Sequence, residues 1–296
     1  MSFIVPPELV PGDRVRVIAP SSPFDRTLAL RGIAWLGERY RVEFDWRMFE
    51  RTGFLAGTDE RRLEELNTAL RAPEIRAILA ARGGYGLTRI AHLGAWAEFV
   101  RAPKWIVGFS DVTALHVEAH RVGLASLHAE NVAGLGRGDA KGRERWLSAL
   151  ESPAKPAQFS GLDCWRSGSA SGPLVGGNLT VLAAAATAGR LELRAGSLLA
   201  LEDVTEASYR VDRMLSALIA GGHFDRIAAV IVGDFTDCSS SPHGVPVEYV
   251  LRERLTSLGV PVVAGLRFGH DRPNEPLHLG MPAVLDATGG ILRVGS

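Results

Sequence analysis

The sequence predicts an α/β protein built around parallel strands with crossover helices. Two observations carry this: short apolar runs alternate with helix-period segments along the first half, and the same alternation resumes after a Pro/Ser/Gly-rich stretch. The length of 296 residues allows two domains of ordinary size.

In order, "VRVIAP" (Val15–Pro20) is a buried strand stopped by a Pro-Ser-Ser-Pro loop, and Asp25–Tyr40 has Leu28, Ile33, Leu36 and Tyr40 at roughly helical spacing. "VEFD" is a second strand, and "DERRLEELNTALRA" an amphipathic helix with a charged outer face. "IRAILAA" runs into "RGGYG", and "KWIVGF" into Ser110. In open parallel sheets ligands gather at the carboxyl ends of strands, where the "SSP", "RGGYG" and "SD" loops fall. Residues 1–150 are therefore expected to form one domain, 151–172 a linker without period, and 173–296 a second domain. Within the second, "GGNLTVLAAAATAG" is a turn into a buried helix. "SLLALEDV", "IAAVIVGDF" and "VPVVAG" are strands, with helices at "YRVDRMLSALIAGG" and near Val247–Leu258. The final segment is a hairpin turning at Thr288-Gly289-Gly290.

Lys+Arg and Asp+Glu both number 33, so no global field draws the chain to nucleic acid or an anionic membrane. The longest apolar run is too short to span a bilayer, and the N-terminal stretch, interrupted by prolines, lacks the pattern of a signal peptide. Two distant cysteines, Cys164 and Cys238, fit a reducing cytoplasm and not a disulfide framework.

Ser110 is the first candidate for chemistry. Gly108 precedes it by two residues at a strand end, which is half of a G-x-S-x-G elbow, but Val112 replaces the second glycine. A serine before a helical segment is a favoured N-cap, and the local sequence by itself favours that reading. The two readings are compatible, because N–H groups at a helix start can meet a developing oxyanion. A nucleophile needs a base and a group that orients it. His270 lies just past a buried strand in the polar loop "FGHDRPNEP", against the alternative of an exposed loop histidine. His116 and His120 lack the H-E-x-x-H arrangement and are expected as a helix-surface pair. Glu202 closes the strand "SLLAL", where an acid is buried only if paired. "RGGYG" matches no phosphate motif, although its glycines allow close approach of backbone N–H groups. Cys238 is expected to be a small, half-buried side chain. No metal-ligand spacing is present.

Taken in order, "LVPGDRVRVIAPSSP", "GFLAGTDERRLEELNTAL", "ILAARGGYGLTRI", "IVGFSDVTALH", "GGNLTVL", "LEDVTEASYRVDRML" and "GDFTDC" resemble the LD-carboxypeptidases of serine peptidase family S66. That family includes muramoyltetrapeptide carboxypeptidases and microcin C self-immunity hydrolases. The resemblance implies a flavodoxin-like N-terminal α/β layer domain, a smaller C-terminal α/β domain and an active site in the interdomain cleft. It also implies a Ser110-His270-Glu202 triad and an oxyanion hole from the backbone N–H groups of Gly84 and Asp111. No cofactor or metal is implied; the expected partners are a small peptide or muropeptide substrate and a second copy of the chain in a cytoplasmic homodimer, with neither nucleic acid nor membrane. The implied reaction releases a terminal D-amino acid from a murein tetrapeptide. The alternatives are hydrolysis of a peptidyl- or aminoacyl-nucleotide, and a non-catalytic flavodoxin-like binding protein. Asn178 is placed as a possible substrate contact, against a turn-and-cap role. Arg82, Arg210, Arg213, Arg267 and Arg272 are all chemically able to grip a carboxylate, and nothing in the sequence ranks them.

Overall fold

The computed structural model describes residues 3–239 and 244–295. The chain divides into two compact units, the first ending at Pro153 and the second beginning at Ala154.

In the first unit, β1 (Arg14–Ile18), β2 (Arg41–Glu43), β3 (Ile75–Ala80), β4 (Trp105–Gly108) and β5 (Ser126–His128) run parallel in the spatial order β2-β1-β3-β4-β5. This is the flavodoxin-like order, with its switch point between β1 and β3. The strands are near-continuous apolar runs because both faces are covered: Ile78, Leu79, Ile106 and Val107 are all buried. The helices are α1 (Arg26–Gly37), α2 (Asp59–Arg71), α3 (Trp96–Arg101), α4 (Thr113–Arg121), α5 (Val132–Leu135) and α6 (Ala140–Glu151). Asp25 caps α1 by accepting the Leu28 N–H, and Thr58 caps α2 by accepting that of Arg61.

Helix α2 departs from expectation. Its charged residues are not all on an outer face, since Arg61, Arg62 and Glu65 are buried. Glu65 Oε2 accepts the Ala19 N–H at 2.9 Å, and Arg61 Nη2 donates to the carbonyls of Ala19 and Ala56. Arg62 Nη1 donates to the carbonyls of Pro20 and Gly86. These charges are buried because loop carbonyls and each other satisfy them, and they fasten the loops that follow β1 and β3. The opposite end of α2 is closed by Lys104, whose ammonium donates to the carbonyls of Ala69, Leu70 and Ala72. Burial pulls this lysine down to about 8.

The second unit contains β6 (Ala157–Ser160), β7 (Asp163–Arg166), β8 (Ser169–Asn178), α7 (Leu179–Thr187), β9 (Leu198–Val204), α8 (Ser208–Ala220), β10 (Ala229–Thr236), α9 (Val247–Thr256), β11 (Val262–Ala264), β12 (Leu277–Leu279), β13 (Pro282–Asp286) and β14 (Ile291–Val294). Its sheet has the order β6-β14-β13-β8-β9-β10-β11-β7. The centre, β8-β9-β10-β11, is parallel, and antiparallel strands flank it on both sides. The expected C-terminal hairpin is β13–β14, closing at the pair Asp286 and Ile291.

Residues 151–172, expected to be a linker, instead hold β6, β7 and the start of β8. The first two lie at the edges of the sheet, where half-exposed, polar and short strands are normal. Their Pro, Ser and Gly content thus marks edge strands and turns. Among the described residues no helix is long and apolar enough to cross a membrane.

Candidate active site

In the first unit, β4 ends at Gly108 and the chain turns through Phe109 into a 3₁₀ turn, Ser110–Val112, and then α4. Ser110 has φ of 66°. A non-glycine residue in the left-handed region costs about 1–3 kcal/mol and persists only where its surroundings enforce it. Ser110 does not cap the helix. Phe109 holds the N-cap position of the turn and Val112 that of α4, and neither start has a side-chain cap bond. A cap residue would need extended backbone. The local arrangement is a strained strand-to-helix turn presenting a half-buried serine, without the second glycine of the usual elbow.

The loops after β1 and β3 pack directly on this turn. A Cβ on Gly83 would lie 2.8 Å from Ser110 Cβ and 3.1 Å from Ser110 Oγ. At Gly84, φ is 108° and a Cβ would meet Ser22 Cβ and Oγ at 2.6 Å. Ser22 Oγ accepts the Tyr85 N–H at 3.0 Å, and the Ser22 N–H donates to Gly83 O. "RGGYG" is therefore laced to "SSP", and its glycines are required by close approach. The Asp111 side chain is buried and accepts the Leu87 N–H at 2.9 Å, tying the Ser110 turn to the loop after β3. Burial pushes its carboxyl up from the usual range.

Beneath the turn lies a histidine that the sequence placed on the surface. His116 is fully buried, and its Nε2 bonds Gly108 O at 2.9 Å. Burial pulls it down to about 4, so it is a neutral donor that fixes the end of β4. His120 is half-buried, with its ring against Phe3. The i,i+4 spacing failed to indicate this because α4 is buried almost all round.

In the second unit, β9 carries Glu202 and the loop after β11 carries His270. Glu202 is fully buried, and its Oε2 bonds His270 Nδ1 at 2.7 Å. Burial raises the Glu202 carboxyl, while the bond to His270 works the other way. A carboxylate on Nδ1 fixes the tautomer and leaves Nε2 as the nitrogen that exchanges protons. Gly269 permits the contact: its φ is 133°, and a Cβ there would lie 3.0 Å from Glu202 Oε2.

Asn178 takes the turn-and-cap role. Its Oδ1 accepts the Val181 N–H at 3.1 Å, capping α7, and its Nδ2 donates to Asp203 Oδ1 at 3.0 Å. It is also the register partner of Glu202 across β8 and β9, and its amide supports the charged form of that acid. Asp203, buried next to Glu202, additionally accepts from the N–H and hydroxyl of Thr180. Of the candidate carboxylate binders, Arg82 donates to Pro23 O and Arg210 pairs with Glu206. Burial pushes the half-buried Cys238 thiol up to about 11, so it is not a thiolate nucleophile. Among the described residues no cluster of three or more His, Cys, Asp or Glu could hold a metal.

Residues 15–129 match the LD-carboxypeptidase N-terminal domain, and residues 171–285 match the LD-carboxypeptidase C-terminal domain. The chain is 34% identical to the murein tetrapeptide carboxypeptidase of Pseudomonas aeruginosa, over 92% of this chain and 93% of that one. Its fold superposes on the crystal structure of muramoyltetrapeptide carboxypeptidase from Oxalobacter formigenes with a TM-score of 0.86 at 29% identity, covering 96% of this chain and 99% of that chain. MccF in complex with glutamyl sulfamoyl guanosine gives 0.88 at 21% identity, covering 98% of each chain, a likeness of fold.

Proposed function

The chain belongs to the LD-carboxypeptidase family, and on that premise we propose that it hydrolyses the LD-peptide bond releasing the terminal D-alanine of murein tetrapeptides. The observation that carries this reading is the buried Glu202 bonded to His270 Nδ1 at 2.7 Å, which orients the imidazole as a base acting through Nε2. Ser110, held at positive φ and not used as a cap, is the nucleophile.

Ser110 Oγ attacks the carbonyl carbon at the L-centre while His270 Nε2 takes the hydroxyl proton. The backbone N–H groups of Gly84 and Asp111 receive the oxyanion, worth about 3 kcal/mol per donor in comparable sites. Glu202 stabilises the imidazolium without taking its proton. Collapse breaks the C–N bond, the imidazolium protonates the departing amine, and water then cleaves the acyl-enzyme. Every step uses side-chain and backbone groups of this chain. Two free cysteines, Cys164 exposed, suit a reducing compartment, and we place the enzyme in the cytoplasm as a homodimer, to be checked by fractionation and sedimentation. Asn178 acts on the substrate only indirectly in this scheme, by steadying Glu202.

The test incubates wild type and Ser110→Ala with a disaccharide tetrapeptide and follows D-alanine by mass spectrometry. Release by wild type alone supports the reading; equal release by both removes Ser110 as nucleophile. Cleavage of an aminoacyl sulfamoyl nucleotide in place of the muropeptide would move the substrate to the nucleotide class.

A further inference from the structure

The mechanism above leaves one group in the second unit unused. Asp234 sits on β10 where its pairing with β9 breaks register, between Val232 and Phe235. Such a bulge re-aims a side chain and is common beside active sites. Here it turns Gly233 and Asp234 towards the histidine loop. The Asp234 N–H donates to Phe268 O at 2.9 Å, and a Cβ on Gly233 would strike the Phe268 ring at 2.2 Å. A Cβ on Gly269 would lie 3.2 Å from Asp234 Cβ as well as 3.0 Å from Glu202 Oε2. The backbone leading into His270 is thus pressed between two carboxylate side chains, one from β9 and one from β10. Asp234 Oδ2 is buried and has no hydrogen-bond partner among the described residues.

We propose that Asp234 is a positioning residue for the His270 base: it braces the Gly269–His270 backbone from the bulge and lends the imidazolium a second negative charge beside Glu202. This rests on the reading of His270 as the base. The charged groups facing Asp234 are Asp271, Glu202, Arg267 and His270. Burial, then the charges of Asp271 and Glu202, push its carboxyl up to about 6 against the opposing pull of Arg267 and His270. Below that pH His270 has one flanking carboxylate charge from β9, and above it also has the one from β10.

The experiment is an NMR titration of the His270 imidazole, assigned by difference against His270→Gln, in wild type and Asp234→Asn, with kcat/KM profiles on the muropeptide. In Asp234→Asn the His270 midpoint falls by roughly half to one pH unit, less than a fully buried charge would give. The acid limb of kcat/KM moves by the same amount. A purely structural role would lower activity and leave both midpoints in place, and that outcome in a variant of unchanged melting temperature overturns the proposal. If Asp234→Asn does not fold, wild type decides: His270 resonances show a second inflection near pH 6 from Asp234, and a single inflection overturns it. The titration needs no substrate, so absence of turnover in wild type would count against the peptidase reading and not against this one.

Discussion

Gly83 lies so close to Ser110 that an added methyl group would stand 2.8 Å from Ser110 Cβ and 3.0 Å from Phe109 O. Both atoms belong to the turn that holds Ser110, the proposed nucleophile, so neither can swing away as a long side chain would. Gly83→Ala is expected to displace Ser110 and lower kcat about 100-fold, since misplacement on the order of 1 Å costs that much. Gly37→Ala is the control. Nothing lies within 4 Å of its new Cβ, and kcat should be unchanged. A Gly83→Ala enzyme with wild-type kcat would show that the turn tolerates the contact.

Backbone strain at Ser110 gives a second expectation. With φ of 66°, Ser110→Gly relieves a left-handed cost that Ser110→Ala retains. Both variants should be inactive, but the glycine variant should be more stable than the alanine variant by about 1 kcal/mol. Denaturant unfolding of the pair checks this, and equal midpoints would mean that the turn carries no recoverable strain.

His116 predicts a pH dependence of folding. Its imidazole is held down to about 4 by burial, whereas an unfolded histidine titrates at 6.5. Between these values the unfolded chain binds a proton that the native state refuses. Stability therefore falls as pH falls through that window, by up to about 3 kcal/mol, and levels off below it. His116→Gln keeps a donor for Gly108 O and removes the titration. Chemical unfolding from pH 7 to 4 should then give a flatter curve than wild type.

Asn178→Ala should cost about 1–2 kcal/mol in urea unfolding, because it removes the cap of α7 and one partner of buried Asp203. Turnover should fall less than in Glu202→Gln, which replaces the acid bonded to His270 Nδ1. A larger kcat loss at Asn178 than at Glu202 would give the asparagine a direct place in substrate binding.

Much of this was legible in the residues. Parallel strands announce themselves as apolar runs, and "VRVIAP", "IRAILAA" and "KWIVGF" each became one. Glu202 was legible because an acid closing such a run needs a partner, and His270 is that partner. What was not legible depends on three dimensions. Arg61 and Glu65 have the spacing of a solvated i,i+4 pair, yet they are buried against loop carbonyls supplied from residues far along the chain. Residues 157–166 carry the composition of a linker because edge strands face solvent. Asp234 is hidden inside "VIVGDF", where no local pattern shows that the strand bulges.

Lys104 has a practical consequence for following the protein in solution. The chain contains only three lysines, Lys104, Lys141 and Lys155, and the last two are exposed. Lys104 is fully buried and its amine is bonded to three carbonyls, so an acylating reagent does not reach it in the folded state. N-hydroxysuccinimide esters should therefore decorate Lys141 and Lys155 of the folded protein within minutes and leave Lys104 untouched. Slow acylation of Lys104, read by peptide mass, would then serve as a clock for opening of the β4 and α2 region, with the two surface amines as internal calibrants.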